Sequence, residues 1–166
     1  LWEEVKGFHF YTLMVQYTAL VEGSKLATSC NASALGALYR ENAQRIANRL
    51  QFEFVENGYF IAIRGGDRNV FRKFDIAILL AVLHTREFPA SQLFSISDPR
   101  LLASVQSLES AFRDEYAINQ VASFLGLGIG RYPGDTYYGG NPWVLSTLAV
   151  AQYYTLLSQS QGAHST

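Results

Sequence analysis

A chain of 166 residues with 49% hydrophobic and 16% charged side chains is long enough for one sizeable core and too apolar to stay disordered. Its net charge of -1 offers no electrostatic footprint for nucleic acid or an anionic membrane surface, and no apolar run approaches the ~20 residues that span a bilayer. One cysteine, Cys30, cannot close an internal disulfide, and His9, His84 and His164 stand isolated from one another, so neither a disulfide framework nor metal-ligand spacing is present.

The chain opens at Leu1, in mid-motif and without a leader, and closes in the polar stretch Ser158 to Thr166. It is therefore expected to be a piece of a longer protein. From Phe8 to about Leu26, the residues Phe10, Leu13, Met14, Tyr17, Leu20 and Val21 recur at helical spacing, which predicts a first amphipathic helix. The sequon Asn31-Ala32-Ser33 follows and is compatible with secretion. A second helix is expected over about Ala34 to Phe52, with Leu35, Leu38, Tyr39, Ile46 and Leu50 as its apolar stripe and Arg40, Arg45 and Arg49 on a solvated face. Asn57-Gly58 signals a turn, Tyr59 to Ile63 is β-prone, and Gly65-Gly66-Asp67 ends what reads as a short extended excursion. Asp75 is placed to cap a short buried helix, Ile76 to Leu83.

Asp98-Pro99 pairs a capping side chain with proline at the first helical position, and Leu101, Leu102, Val105, Leu108 and Phe112 follow as a stripe. Asn141-Pro142 repeats that device before Trp143 to Leu157. That segment is apolar almost all round, which predicts an inner, buried helix. The sum is five helices in one domain, joined by loops longer than a bundle needs, and long ordered loops carry function.

Two loops stand out. Leu1-Trp2-Glu3-Glu4-Val5-Lys6-Gly7 sets two carboxylates beside a tryptophan. One carboxyl pressed on an apolar surface can remain a proton donor while its neighbour stays ionised; a solvated helix start would read the same way. Gly130 to Trp143 packs Arg131, Asp135 and four aromatics between glycines and prolines. Planar donors, carboxylates and aromatic faces together suit a sugar site, and equally a rigid turn whose rings enter the core. Gly126-Leu127-Gly128-Ile129-Gly130 lacks the spacing and the βαβ context of a nucleotide loop.

Taken together, the opening motif with Phe10-Tyr11-Thr12, and the stretch Gly130 to Trp143 running into Leu145-Ser146-Thr147-Leu148-Ala149, resemble the two signatures of the fungal-type glucoamylases, glycoside hydrolase family 15. Asp75 to Leu80 and His84-Thr85 match the intervening region more loosely, and Ser24 to Arg72 matches poorly. The resemblance implies an all-α fold, with the chain forming about half of an (α/α)6 toroid as its sixth to tenth helices. It implies inverting hydrolysis of α-1,4-glucosidic bonds from the non-reducing ends of starch and malto-oligosaccharides, without cofactor or metal, by a monomer that is secreted or vacuolar and has no nucleic-acid or membrane partner.

By position, the resemblance makes Glu3 the general acid, Glu4 a carboxylate on the neighbouring glucose, Trp2 a wall of the site and Leu1 a backbone contact. It makes Arg131 the guanidinium on substrate hydroxyls, Asp135 the acid that closes the arginine loop, and Tyr137 and Trp143 aromatic walls. Two departures stand against it. Gly134 occupies a position where the family usually carries glutamate, so Arg131 is expected to be less well held. The family's base belongs to a downstream loop not matched here, so the chain alone is expected to be inactive. A glucan-binding or regulatory module on the same toroid is the alternative, and a purely helical interaction protein is a third reading.

Overall fold

The computed structural model describes residues 4–65, 74–121 and 126–162. Helix α1 (Phe10–Ser29) and helix α2 (Ser33–Phe52) form an antiparallel hairpin across a turn at Asn31. The first helix begins two residues later than its periodicity suggests. Phe8–His9 instead form strand β1, paired antiparallel with β4 (Ile63–Arg64), while β2 (Val55–Glu56) pairs with β3 (Tyr59–Phe60) across Asn57-Gly58. The extended excursion is thus two small ribbons, and one of them reaches back to the start of α1. Phe8 leaves the helix because its ring lies under the Arg49 guanidinium at 3.9 Å and its backbone completes that ribbon.

Helix α2 buries only part of the stripe its large residues predict, with Leu50 in the core and Ile46 packed against it. Leu35 and Leu38 are exposed, and Gly36, Ala43, Ala47 and Leu50 face inward. Small residues let the two backbones approach: a Cβ on Gly36 would lie 2.9 Å from Thr28 Oγ1 and 3.1 Å from the Ser24 carbonyl. Close contact between helices outweighs side-chain size here, because dense interiors admit no extra methyl without displacement.

Helix α3 (Ala77–Thr85) buries every residue but His84, as an apolar run of this length should. Its start is held by the Asp75 carboxylate, which accepts the Ala77 N–H at 2.8 Å. Helix α4 (Pro99–Arg113) starts at the expected cap, with Asp98 accepting the Arg100 N–H at 2.9 Å, and buries Leu101, Val105, Leu108 and Phe112. A short helix α5 (Ala117–Val121) follows; five residues carry too little periodicity to be recognised. The core centres on Phe10, whose ring meets Phe60 at 5.0 Å and Phe94 at 5.8 Å, and each such burial contributes about 1.5–3 kcal/mol.

The last helix, α6 (Val144–Gly162), departs from expectation twice. Asn141 does not cap it: its amide donates to the Tyr138 carbonyl at 2.6 Å, and the helix opens after Trp143, whose N–H goes to the Ile129 carbonyl. Nor is the helix buried all round. Ser146, Ala149, Val150 and Tyr153 face the core, while Val144, Leu145 and Leu148 lie exposed. An all-apolar surface needs partners on every side, and among the described residues only one side of α6 is buried. Among the described residues no helix is long and apolar enough to cross a membrane.

Candidate active site

The segment entering the arginine loop, 128–131, has no sheet partner, yet it is pegged at nearly every step. Asn119 Oδ1 accepts the Gly128 N–H at 2.7 Å, and the Asn119 amide donates to the Gly128 carbonyl. Ile129 receives the Trp143 N–H on its carbonyl, and its own N–H goes to Thr147 Oγ1. The Arg131 carbonyl accepts the Ile76 N–H at 2.9 Å, so the loop and the first turn of α3 fix each other. Buried backbone groups must be paired somewhere, and here side chains from α5 and α6 and a helix start do what a ladder would.

From this base Arg131, 4% exposed, projects into a charged cluster. Its Nε and Nη2 donate to the two Asp135 oxygens, both at 2.6 Å, and its Nη1 donates to Glu4 Oε1 at 2.7 Å. The other Glu4 oxygen accepts the Tyr132 hydroxyl at 2.7 Å. Glu4 is thereby joined to a loop 127 positions away in sequence. Three rings surround the guanidinium: Tyr137 at 4.7 Å and Tyr132 and Trp143 each at 5.2 Å. A planar cation suits such a cage, since it can stack and hydrogen-bond in its own plane at once.

The electrostatics follow. Hydrogen bonding to Arg131 holds the Asp135 carboxyl below the usual carboxylate range, against its burial, and the Tyr137 N–H adds to the effect. Arg131 is held still more firmly protonated, first by Asp135 and then by Glu4. A carboxylate offers about four acceptor sites, so holding Arg131 and Tyr132 does not by itself saturate Glu4. The cluster can accept hydrogen bonds from vicinal hydroxyls and set a ring against Tyr137, half of which is exposed.

Of the residues singled out from sequence, Glu4, Arg131, Asp135, Tyr137 and Trp143 come together in one cluster. Leu1, Trp2 and Glu3 lie outside the described residues. Tyr132 was not singled out, although its place beside Arg131 was a signal; Glu115 and Asn119 carried none. Arg131, expected to be less well held with glycine at 134, is gripped by both Asp135 oxygens and by Glu4 as a second carboxylate. That glycine has φ +76°, a left-handed turn in which glutamate would be strained.

Comparison with known proteins gives the family. The family model for glycosyl hydrolases family 15 matches residues 1–166. The chain belongs to that family. Glucoamylase 1 of Rhizopus oryzae is 35% identical over 164 residues, covering 93% of the family 15 chain and 26% of its own length. The intracellular sporulation-specific glucoamylase of Saccharomyces cerevisiae is also 35% identical, covering 89% and 29%. The solved glucoamylase of Saccharomycopsis fibuligera superposes with a TM-score of 0.86 at 30% identity, over 98% of this chain and 36% of that one. The family 15 chain is therefore part of an (α/α)6 barrel, about a third of that structure, and spans about a quarter of the curated relatives' length.

Proposed function

We propose that this chain forms part of a glucan 1,4-α-glucosidase, which releases glucose with inversion from the non-reducing ends of starch and malto-oligosaccharides. One observation carries the reading: the two signature loops, distant in sequence, meet in a single caged Arg131–Glu4–Asp135 cluster. A helical scaffold has no use for a buried guanidinium between two carboxylates under three rings. The alternative of a non-catalytic glucan-binding module drew on the loss at position 134. The hydrogen bonds from Arg131 to Asp135 and Glu4 favour the hydrolase reading over that one.

In this reading Glu3 donates the proton to the leaving oxygen, and a base contributed by the rest of the protein activates water on the opposite face. Inversion calls for carboxyl groups roughly 6.5–9.5 Å apart. Arg131 and Asp135 bind hydroxyls of the terminal glucose, Glu4 its neighbour, and Leu1, Trp2, Tyr137 and Trp143 form the walls. Because Glu4 also holds Arg131, its role extends to both sugars. The protein needs no cofactor and acts as a monomer on starch rather than on nucleic acid or membrane. The sequon Asn31 lies exposed at the α1–α2 turn, where a glycan would meet no obstruction, which supports a secreted or vacuolar protein.

The test uses the full-length protein and maltose. Glu3→Gln should lower kcat by about 10²–10⁴-fold, the span of general acid catalysis, with KM little changed. Glu4→Gln should instead raise KM, because a ground-state contact is lost. An exchange of these two signatures would reverse the assignment. No glucose from the wild type would overturn the hydrolase reading.

A further inference from the structure

The arginine loop rests on a corner of the fold that lies outside the two signature motifs. Between α4 and α5 the chain turns at Asp114 to Tyr116, and three side chains of this corner face the loop. Glu115 Oε1 accepts the Gly134 N–H at 2.7 Å. Asn119, 4% exposed, clamps Gly128 through both backbone groups and donates to the Phe112 carbonyl at 2.8 Å. Tyr116 stacks on Phe112, and its hydroxyl would lie 2.0 Å from a Cβ on Gly130, so the loop backbone runs directly over it.

We propose that Glu115 and Asn119 are positioning residues for the Arg131 site, holding the loop backbone on either side of Arg131. The geometry divides the task. Asn119 fixes the entry of the loop at Gly128, three residues before Arg131. Glu115 fixes its turn at Gly134, three residues after Arg131 and next to Asp135. Arg131 and its partner Asp135 thus lie between two anchors on one rigid corner. A guanidinium that must meet sugar hydroxyls in a fixed plane loses binding when its backbone drifts, because such sites tolerate about 0.5 Å of error. Neither residue touches substrate in this scheme; each acts through the loop. Glycine at 134 fits the same arrangement: with φ +76° its N–H turns toward Glu115.

The inference rests on the hydrolase reading above, and two separate readouts keep their failures apart. In the full-length protein, hydrogen–deuterium exchange reads the peptide covering 128–135 directly, and maltose kinetics read the site. Glu115→Ala should quicken exchange in that peptide at least about fivefold, one lost charged hydrogen bond, and leave α1 and α2 unchanged. Its KM should rise about tenfold with kcat altered less than about twofold. Glu115→Gln should restore both, since the amide oxygen still accepts the Gly134 N–H. Asn119→Ala should act in the same direction; because it opens a buried site, the exposed Glu115 pair decides if that variant does not fold. Glu41→Ala, on the solvated face of α2, is the control. Unchanged exchange in Glu115→Ala overturns the proposal, and so does quickened exchange with unchanged KM. A wild type that releases no glucose, with exchange still quickened in Glu115→Ala, sinks the hydrolase reading and leaves the corner's hold on the loop supported.

Discussion

The guanidinium of Arg131 meets Asp135 through two hydrogen bonds of 2.6 Å and Glu4 through one of 2.7 Å. A buried charge held on two sides in this way is costly to disturb, because removing a partner leaves the other charge desolvated and unmatched. Gly134→Glu is therefore expected to weaken binding of a glucose-like inhibitor to the full-length protein. The new side chain would sit at φ +76°, at a strain of ~1 kcal/mol or more. Titration calorimetry on the two proteins checks this; tighter binding would show that the arginine lacks a partner after all.

The same residues predict a pH dependence. Arg131 holds the Asp135 carboxyl below its ordinary range in the folded protein. The stabilising contribution of Asp135 is thus complete above the unfolded value of ~3.9 and is lost as pH falls through the depressed folded value. Against Asp135→Asn, the full-length protein should be more stable by about 3 kcal/mol at pH 6, and the gap should narrow as pH falls below about 4. Urea unfolding at these pH values measures it. A gap that widens on acidification contradicts the assignment.

At the scale of elements, the α1–α2 hairpin depends on a contact that hydrophobicity alone does not reveal. Leu35 and Leu38 satisfy the period of an apolar stripe but lie outside, while Gly36 sits against the Ser24 carbonyl. Arg40, read as a solvated charge, donates to Ser24 Oγ at 2.9 Å and crosses the same interface. Gly36→Leu should force the helices apart and lower stability by about 1–3 kcal/mol, whereas Leu38→Ala should change it by less than about 0.5 kcal/mol, as surface substitutions do. Chemical denaturation of the two variants separates these outcomes, and equal losses would restore the large-residue stripe. Helices with local start signals behaved differently. Asp98 caps α4 as its sequence indicates, because the donor it satisfies is two residues away and needs no tertiary context.

For the whole molecule, the exposed face of α6 matters most. Val144, Leu145 and Leu148 form an apolar surface on a helix whose inner side carries Ala149, Val150 and Tyr153. Patches of this kind associate in isolation. The 166-residue chain, expressed alone, should elute as aggregates or oligomers in size-exclusion chromatography with light scattering and, on the proposed division of acid and base between this chain and the rest of the protein, should release no glucose from maltose. A well-behaved monomer with measurable turnover would refute both expectations.

What the sequence determined by itself was whatever rests on neighbours along the chain. The caps at Asp75 and Asp98, the buried run of α3, the turn at Asn57-Gly58 and the composition of the arginine loop all depend on contacts a few residues apart, and the motifs at the two ends suffice to identify the family. Tertiary structure alone decided which of these residues meet. It set Glu4 against Arg131 across 127 positions, placed Glu115 and Asn119 beneath the loop, chose Gly36 over Leu38 for the helix contact, and drew Phe8 out of α1 into a ribbon with Arg64. The physical reason is the same throughout. Periodicity and capping report the energy of one turn or one strand, whereas a buried guanidinium, a close helix crossing or an unpartnered helix face takes its energy from surfaces that only folding brings together.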